Sequence, residues 1–186
     1  MVRDGGRRRT QPVEHPQGNA SPRSVGRREV ASPRMHRLIA SLFGAGLILR
    51  RVRGSDAGSG TIGGLVTLPF ALLIGETWGW PGQLAATILV TAVALWASAG
   101  VVSSEGDAGW IVIDEAAGVF VATIGLLGWA AVIAFVLFRI VDITKRPFPG
   151  VHQADSMPGA TGIVLDDLVA GAWALAMGHL LNATIL

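Results

Sequence analysis

Residues 84–102 carry no charged side chain and are almost wholly apolar. A stretch of that length is close to the roughly 20 residues that a helix needs to cross a bilayer. Because hydrocarbon offers no partner for backbone N–H and C=O groups, such a segment must satisfy them internally, as a helix does. Further apolar segments lie at 36–49, 62–78, 116–141 and 163–186, separated by Gly, Pro, Trp or charged residues. With 51% of its 186 residues hydrophobic, the chain is too apolar for an ordinary soluble domain. The expected fold class is an all-α integral membrane protein, a small polytopic helical bundle.

Charge is divided unevenly along the chain. Residues 1–53 hold twelve basic residues against Asp4, Glu14 and Glu29, a net +9, while the remainder holds three basic against ten acidic residues, a net −7. The basic character therefore belongs to a tail, and nucleic acid is a poor candidate partner. Residues 1–33 are rich in Arg, Gly, Pro and Ser, and such a composition cannot bury enough surface to offset chain entropy. They are expected to form a disordered cytoplasmic arm lying against anionic headgroups, with residues 34–186 forming the membrane-embedded domain. The chain has no cysteine, which removes disulfides, thiolate ligands and a cysteine nucleophile. None of the four histidines forms a metal-ligand spacing.

Orientation follows from the basic residues. Arg50, Arg51 and Arg53 hold the start of 62–78 on the cytoplasmic side, so Trp78 and Trp80 anchor an outer loop and 84–102 returns the chain inward. The segment 36–49 is too short to cross; it either lies in the interface or begins the first span. As one straight helix, 116–141 would separate Glu115 from Arg139 by about 36 Å and would place Arg139, Lys145 and Arg146 outside. A re-entrant helical hairpin turning near Gly125–Gly128 avoids both consequences. It brings Thr61, Asp114, Glu115, Arg139, Asp142, Lys145, Asp166 and Asp167 to one cytoplasmic edge.

Ionisable groups at the ends of apolar helices are costly and commonly mark a functional site. Five carboxylates with few basic partners suit a hard divalent cation such as Mg²⁺, whose shell mixes carboxylates, waters and phosphate oxygens. The competing explanation is that each acid simply favours a helix N-terminus. Arg139 and Asp142 share a helix face three residues apart, either as an intrahelical ion pair or with Arg139 and Lys145 gripping phosphate while Asp142 faces the metal. The run Gly58-Ser59-Gly60-Thr61-Ile62-Gly63-Gly64 opens an apolar helix, where free N–H groups would suit an anion and small residues would suit close packing.

The strings Ile111-Val112-Ile113-Asp114-Glu115, Phe138-Arg139-Ile140-Val141-Asp142-Ile143-Thr144-Lys145 and Gly162 through Asp166-Asp167 to Gly171 resemble, in order and spacing, the bacterial phosphatidylglycerophosphatase A family. Gly60-Thr61-Ile62-Gly63 resembles its proline-glycine-threonine turn. The resemblance covers about 36–184. It implies a Mg²⁺-dependent phosphatase, which the basic residues orient as a multi-pass inner-membrane protein with its site facing the cytoplasm. Such an enzyme removes the terminal phosphate of phosphatidylglycerophosphate to complete phosphatidylglycerol synthesis. Asp114, Glu115, Arg139, Asp142, Lys145, Asp166 and Asp167 occupy the family's charged motif positions, and we assign Asp114, Asp142, Asp166 and Asp167 as metal ligands. Glu115, Arg139 and Lys145 are catalytic, and Gly60 and Thr61 join Arg139 and Lys145 in holding phosphate. Direct attack by water and an aspartyl-phosphate intermediate both fit.

The chain departs from the family pattern in having Asp56 and Ser59 where prolines precede glycine-threonine, and Gly64 where a serine follows. Arg146 also displaces Pro147 and Pro149 by one position. Two rival readings are a non-catalytic membrane subunit that keeps the fold and a CDP-alcohol-type phosphotransferase. The latter's ordered Asp-Gly, Ala-Arg and Asp-xxx-Asp pattern is missing here.

Overall fold

A computed structural model of the chain describes residues 33–185. The Arg-rich arm expected at 1–33 lies outside the described residues, apart from Pro33, which opens the first helix. All regular elements among the described residues are helical: α1 (Pro33–Ala40), a 3₁₀ turn (Ala45–Leu47), α2 (Ile48–Arg53), α3 (Ser59–Glu105), α4 (Ile113–Ala122), α5 (Gly128–Thr144), α6 (Val151–Asp155) and α7 (Gly159–Thr184). Both α3 and α7 are long and apolar enough to cross a membrane.

Within α3 the chain doubles back at Gly79, whose φ of 65° and ψ of −165° are non-helical and open to glycine alone at little cost. Pro81 then sits near the start of the second arm, where a missing N–H costs nothing. Across the reversal Gln83 Nε2 donates to Ala71 O (3.3 Å), and Asp56 before α3 packs beside Gly109 after it. The arms at 59–78 and 80–105, about 30 and 39 Å long at 1.5 Å per residue, are the two spans expected from 62–78 and 84–102.

The apolar run 116–141 is broken as expected. Helix α4 ends at Ala122, a turn with Gly125 at φ 73° follows, and α5 runs back from Gly128. A Cβ on Gly118 would strike Phe138, and Glu115 and Arg139 both abut Gly60, so the first turn of α4 and the last turns of α5 meet. A single long helix is excluded. The arms are unequal, however, because α5 meets no breaker before Thr144 and extends for 17 residues rather than about ten.

Many inward positions are small, although Trp110, Phe138 and Leu126 are also buried, and many large apolar side chains face outward. Ala71, Ala94, Ala97, Ala117, Ala131, Ala134, Ala170 and Ala174 are fully buried, while Phe70, Leu73, Ile88, Leu89, Trp129 and Leu180 are exposed. A water-soluble protein would not present so many large apolar side chains; a membrane helix bundle, held by close backbone approach, does. Helix α1 stands apart from the first span, so 36–49 is not its beginning. Its buried His36 stacks on Trp96 of α3 with ring centroids 4.3 Å apart, and Arg37 pairs with Glu105 at 3.0 Å.

Candidate active site

Asp114 and Glu115 occupy the first turn of α4 because Val112 N is tied to Ala40 O (2.9 Å), which fixes where that helix begins. Asp142 lies near the end of α5. Asp166 and Asp167 lie two turns into α7, which starts at Gly159, so preference for a helix N-terminus does not account for them. Both are buried, at 6% and 3% exposed, as is Asp114 at 7%.

These acids form two overlapping triads. Carboxylate oxygens of Asp114, Glu115 and Asp167 lie within 4.8 Å of one another, and so do those of Asp142, Asp166 and Asp167. At that spacing two unit charges repel by about 3 kcal/mol for an effective dielectric of about 20. The arrangement thus needs a cation or protons. Glu115 Oε2 is buried without a hydrogen-bond partner, which leaves a lone pair to offer. Asp114 and Glu115, on a helix too short to span, are both pushed up, first by burial; the neighbouring Glu115 charge adds to the rise at Asp114. Arg139 partly offsets it at Glu115.

Two basic side chains border the acids. Arg139 Nη1 lies 2.9 Å from Asp142 Oδ2 but outside hydrogen-bond alignment, and its Nη1 and Nε are buried without a bonded acceptor. It therefore keeps donors to spare. Lys145 caps α5 in the left-handed region, at φ 48°, and that backbone turn brings its Nζ to 2.6 Å from both Asp155 Oδ1 and Asp166 Oδ2. Burial works against the ammonium, but these two partners outweigh it and hold Lys145 above the usual lysine range. Asp155, on the short α6, is a site residue that the sequence reading missed. Arg146 falls beyond the helix end and is exposed, so it leaves the face shared by Arg139 and Asp142.

The glycine-rich start of α3 backs the acids from the Arg139 side. Any Cβ on Gly60 would collide with Glu115 Oε1 and meet Arg139 Nη2 at 3.0 Å, so glycine is what lets this backbone reach the acid and the guanidinium. Gly63 and Gly64 instead allow close packing against Val112 and Phe135. Thr61 corrects one expectation: its N–H is turned back onto Gly58 O (3.1 Å), because the helix opens with a tight turn. What it offers a ligand is its hydroxyl. Asp114, Glu115, Asp142, Lys145, Asp166 and Asp167 line a cavity of about 450 Å³, which is wide enough for a phosphate with its cation shell. Gly60, Thr61 and Arg139 do not line this cavity, but Gly60 and Arg139 abut Glu115 beside it, so the site residues named from the sequence gather at one end of the bundle.

Residues 38–182 match the family described as phosphatidylglycerophosphatase A. The chain belongs to that family. Among curated proteins it is 30% identical to the putative phosphatidylinositol-3-phosphatase of Bacteroides thetaiotaomicron over 156 residues, covering 75% of this chain and 89% of the relative. It is 42% identical to the phosphatidylglycerophosphatase A of Haemophilus influenzae over 72 residues, covering 37% of this chain and 44% of the relative. No solved structure matches. Family membership makes the chain a membrane-associated lipid phosphatase, a hydrolase of phospholipid metabolism.

Proposed function

We propose that the chain hydrolyses the terminal phosphomonoester of phosphatidylglycerophosphate, giving phosphatidylglycerol and inorganic phosphate, with Mg²⁺ held by the acid cluster. The observation that carries the reading is the pair of carboxylate triads sharing Asp167, flanked by Arg139 and Lys145. All-oxygen donors at this spacing, one of them a buried carboxylate oxygen without a partner, fit a hard divalent cation. Asp114, Asp142, Asp166 and Asp167 would hold it, with Asp167 able to serve two ions. Bound there, Mg²⁺ supplies Lewis-acid polarisation of the phosphoryl group and makes water a stronger nucleophile near neutral pH.

The protein's own groups do the rest. Glu115, with one oxygen free, orients the attacking water and takes its proton. The water oxygen forms the new bond to phosphorus, and the bond to the lipid's glycerol oxygen breaks. That oxygen takes up a proton from solvent, and Glu115 gives its own back to solvent, so the protons balance. Arg139 brings unspent N–H donors to the phosphoryl oxygens, a planar fork suited to phosphate. Lys145, held at the site by Asp155 and Asp166, adds a fixed positive charge where negative charge gathers.

Arg37, Arg50 and Arg51 lie at the same end of the bundle as the acids, tied through Arg37–Glu105 and Arg50–Asp56. The excess of positive residues supports a cytoplasmic placement of that end in the inner membrane, with α4 and α5 entering and returning on the cytoplasmic side. Exposed Trp78, Trp80 and Trp129 belong to the opposite end, as interfacial anchors do.

A second headgroup has a specific observation in its favour, because the relative covering most of this chain is named for phosphatidylinositol 3-phosphate. Phosphate release from purified protein with Mg²⁺ should be measured on phosphatidylglycerophosphate, phosphatidylinositol 3-phosphate and phosphatidic acid. The proposal expects the highest kcat/KM on the first. Preference for the second would replace the substrate. No release from any of the three would favour a non-catalytic subunit.

A further inference from the structure

On its other side Arg139 borders a second hollow, of about 340 Å³, between Thr61 at the start of α3 and Phe135, Val136, Ile140 and Ile143 of α5. This groove shares no lining residue with the acidic cavity. Its lining is apolar apart from Arg139 and two threonines, and the hydroxyl of Thr144 is spent on Ile140 O at 2.6 Å. Arg139 joins the two spaces: it lines the groove while its Nη1 sits 2.9 Å from Asp142, which lines the cavity. Val136, Ile140 and Ile143 are 49%, 49% and 69% exposed, so the groove opens sideways, on the lipid-facing surface of α5.

We propose that this groove seats an acyl chain of the lipid being hydrolysed, so that the phosphomonoester reaches the acids beside Arg139 while the chain stays in the bilayer. The inference rests on the lipid-phosphatase reading and adds how the substrate is held. Two features commit the groove to this occupant. Its surface is hydrocarbon-like and laterally open, which suits a chain already in the membrane. The cation at its edge has buried, unspent donors, which suits an anionic head attached to that chain. A lipid lying this way need not leave the bilayer, and the headgroup alone crosses into the polar cavity.

The test compares hexanoyl and palmitoyl forms of phosphatidylglycerophosphate on the full chain in detergent micelles with Mg²⁺. Ile140→Trp and Ile143→Trp fill the groove from its lipid side, and Leu180→Trp alters an exposed apolar position on α7 outside it. The ratio of kcat/KM for palmitoyl over hexanoyl substrate should fall about tenfold, equivalent to about 1.4 kcal/mol, in the two groove variants and stay at the wild-type value in Leu180→Trp. An unchanged ratio in the groove variants, or an equal fall in Leu180→Trp, overturns the inference.

A second measurement needs no turnover and no variant. A phosphatidylglycerophosphate carrying a photoactivatable palmitoyl chain should cross-link wild-type protein mainly within residues 135–144. Adducts spread evenly over Leu73, Ile88 and Leu180, or groove residues shielded by a second copy of the chain, would overturn it. If wild-type protein releases phosphate from neither chain length, the phosphatase reading fails, and the cross-linking pattern still decides whether the groove takes a lipid chain.

Discussion

The two ends of the bundle treat buried polar groups in opposite ways. Where α3 reverses, Gln83 is fully buried and every part of its amide is used: Nε2 donates to Ala71 O and Thr123 O, and Oε1 accepts from Gly125 N at 2.8 Å. Nearby, a ring nitrogen of His179 meets Ile124 O at 2.9 Å. This end ties the α4–α5 turn to α3 and leaves nothing over. At the other end five carboxylates crowd around two bordering cations, and Glu115 Oε2 and Arg139 Nε have no partner at all. Since unpaired buried polar groups cost about 1–3 kcal/mol each, a fold that keeps them at one end while satisfying them at the other reserves that end for a ligand. The contrast separates a structural lock from a chemical site in one small protein.

The sharpest break in the contrast is Asp167→Asn, which removes the carboxylate common to both triads at nearly constant size. Phosphate release should fall by about a thousandfold, equivalent to roughly 4 kcal/mol of transition-state stabilisation. The thermal midpoint measured without metal should rise or stay level, because a buried like charge has been removed. Near-normal turnover would mean that the shared acid is not part of the chemistry.

Next in size is Gly60→Ala. The added methyl group would meet Glu115 and Arg139, and such overpacking costs about 1–3 kcal/mol. If that strain falls on the site, kcat should drop by about ten- to a hundredfold with the helical circular dichroism intact. Asp155→Asn frees one of the two anchors of Lys145 while Asp166 keeps the other, so a smaller loss of about three- to tenfold in kcat is expected. Its signature is rescue by Asp155→Glu.

At the other end the comparison predicts a change of a different kind. Gln83→Leu strips the partner from Thr123 O and Gly125 N and should destabilise the fold by about 2–4 kcal/mol. Below the lowered melting midpoint, turnover should stay within about threefold of wild type. A thermal melt paired with activity at low temperature checks both halves. The smallest effect belongs to removal of residues 1–32, whose core-less, Arg-rich composition suggests a contribution to membrane affinity and not to chemistry. Turnover in micelles should change by less than about twofold, while binding to anionic vesicles weakens by about 1 kcal/mol per lost surface Arg at most.

How much of this was legible in the sequence depended on whether a feature acted locally. The spans and the break after Ala122 could be read because apolar length and clustered glycines act within a few residues. The approach of Asp114 and Glu115 to Arg139 and Asp142 could be read because a turn near Gly125 returns the chain on itself. Asp155 could not: it reaches Lys145 only because α5 ends in a left-handed turn at Lys145 and α6 folds back, and neither leaves a pattern in residue types. Gln83 was equally silent, since one amide in an apolar helix looks the same whether buried or facing lipid. Of the free N–H groups expected in the run 58–64, that of Thr61 is spent on Gly58 O, because the first turn of α3 is tighter than a regular helix start. The groove beside Arg139 is built across two helices distant in sequence, so no single segment announces it.

If the crowded acids bind a divalent cation, hydrolysis depends on that cation. This dependence is read from phosphate release from phosphatidylglycerophosphate by purified wild-type and Asp167→Asn protein while free Mg²⁺ is titrated from chelated to saturating levels. Wild type should show a saturable Mg²⁺ dependence and no turnover with excess chelator, and Asp167→Asn should not recover at any Mg²⁺ level tested. Full wild-type turnover in the presence of chelator would contradict it.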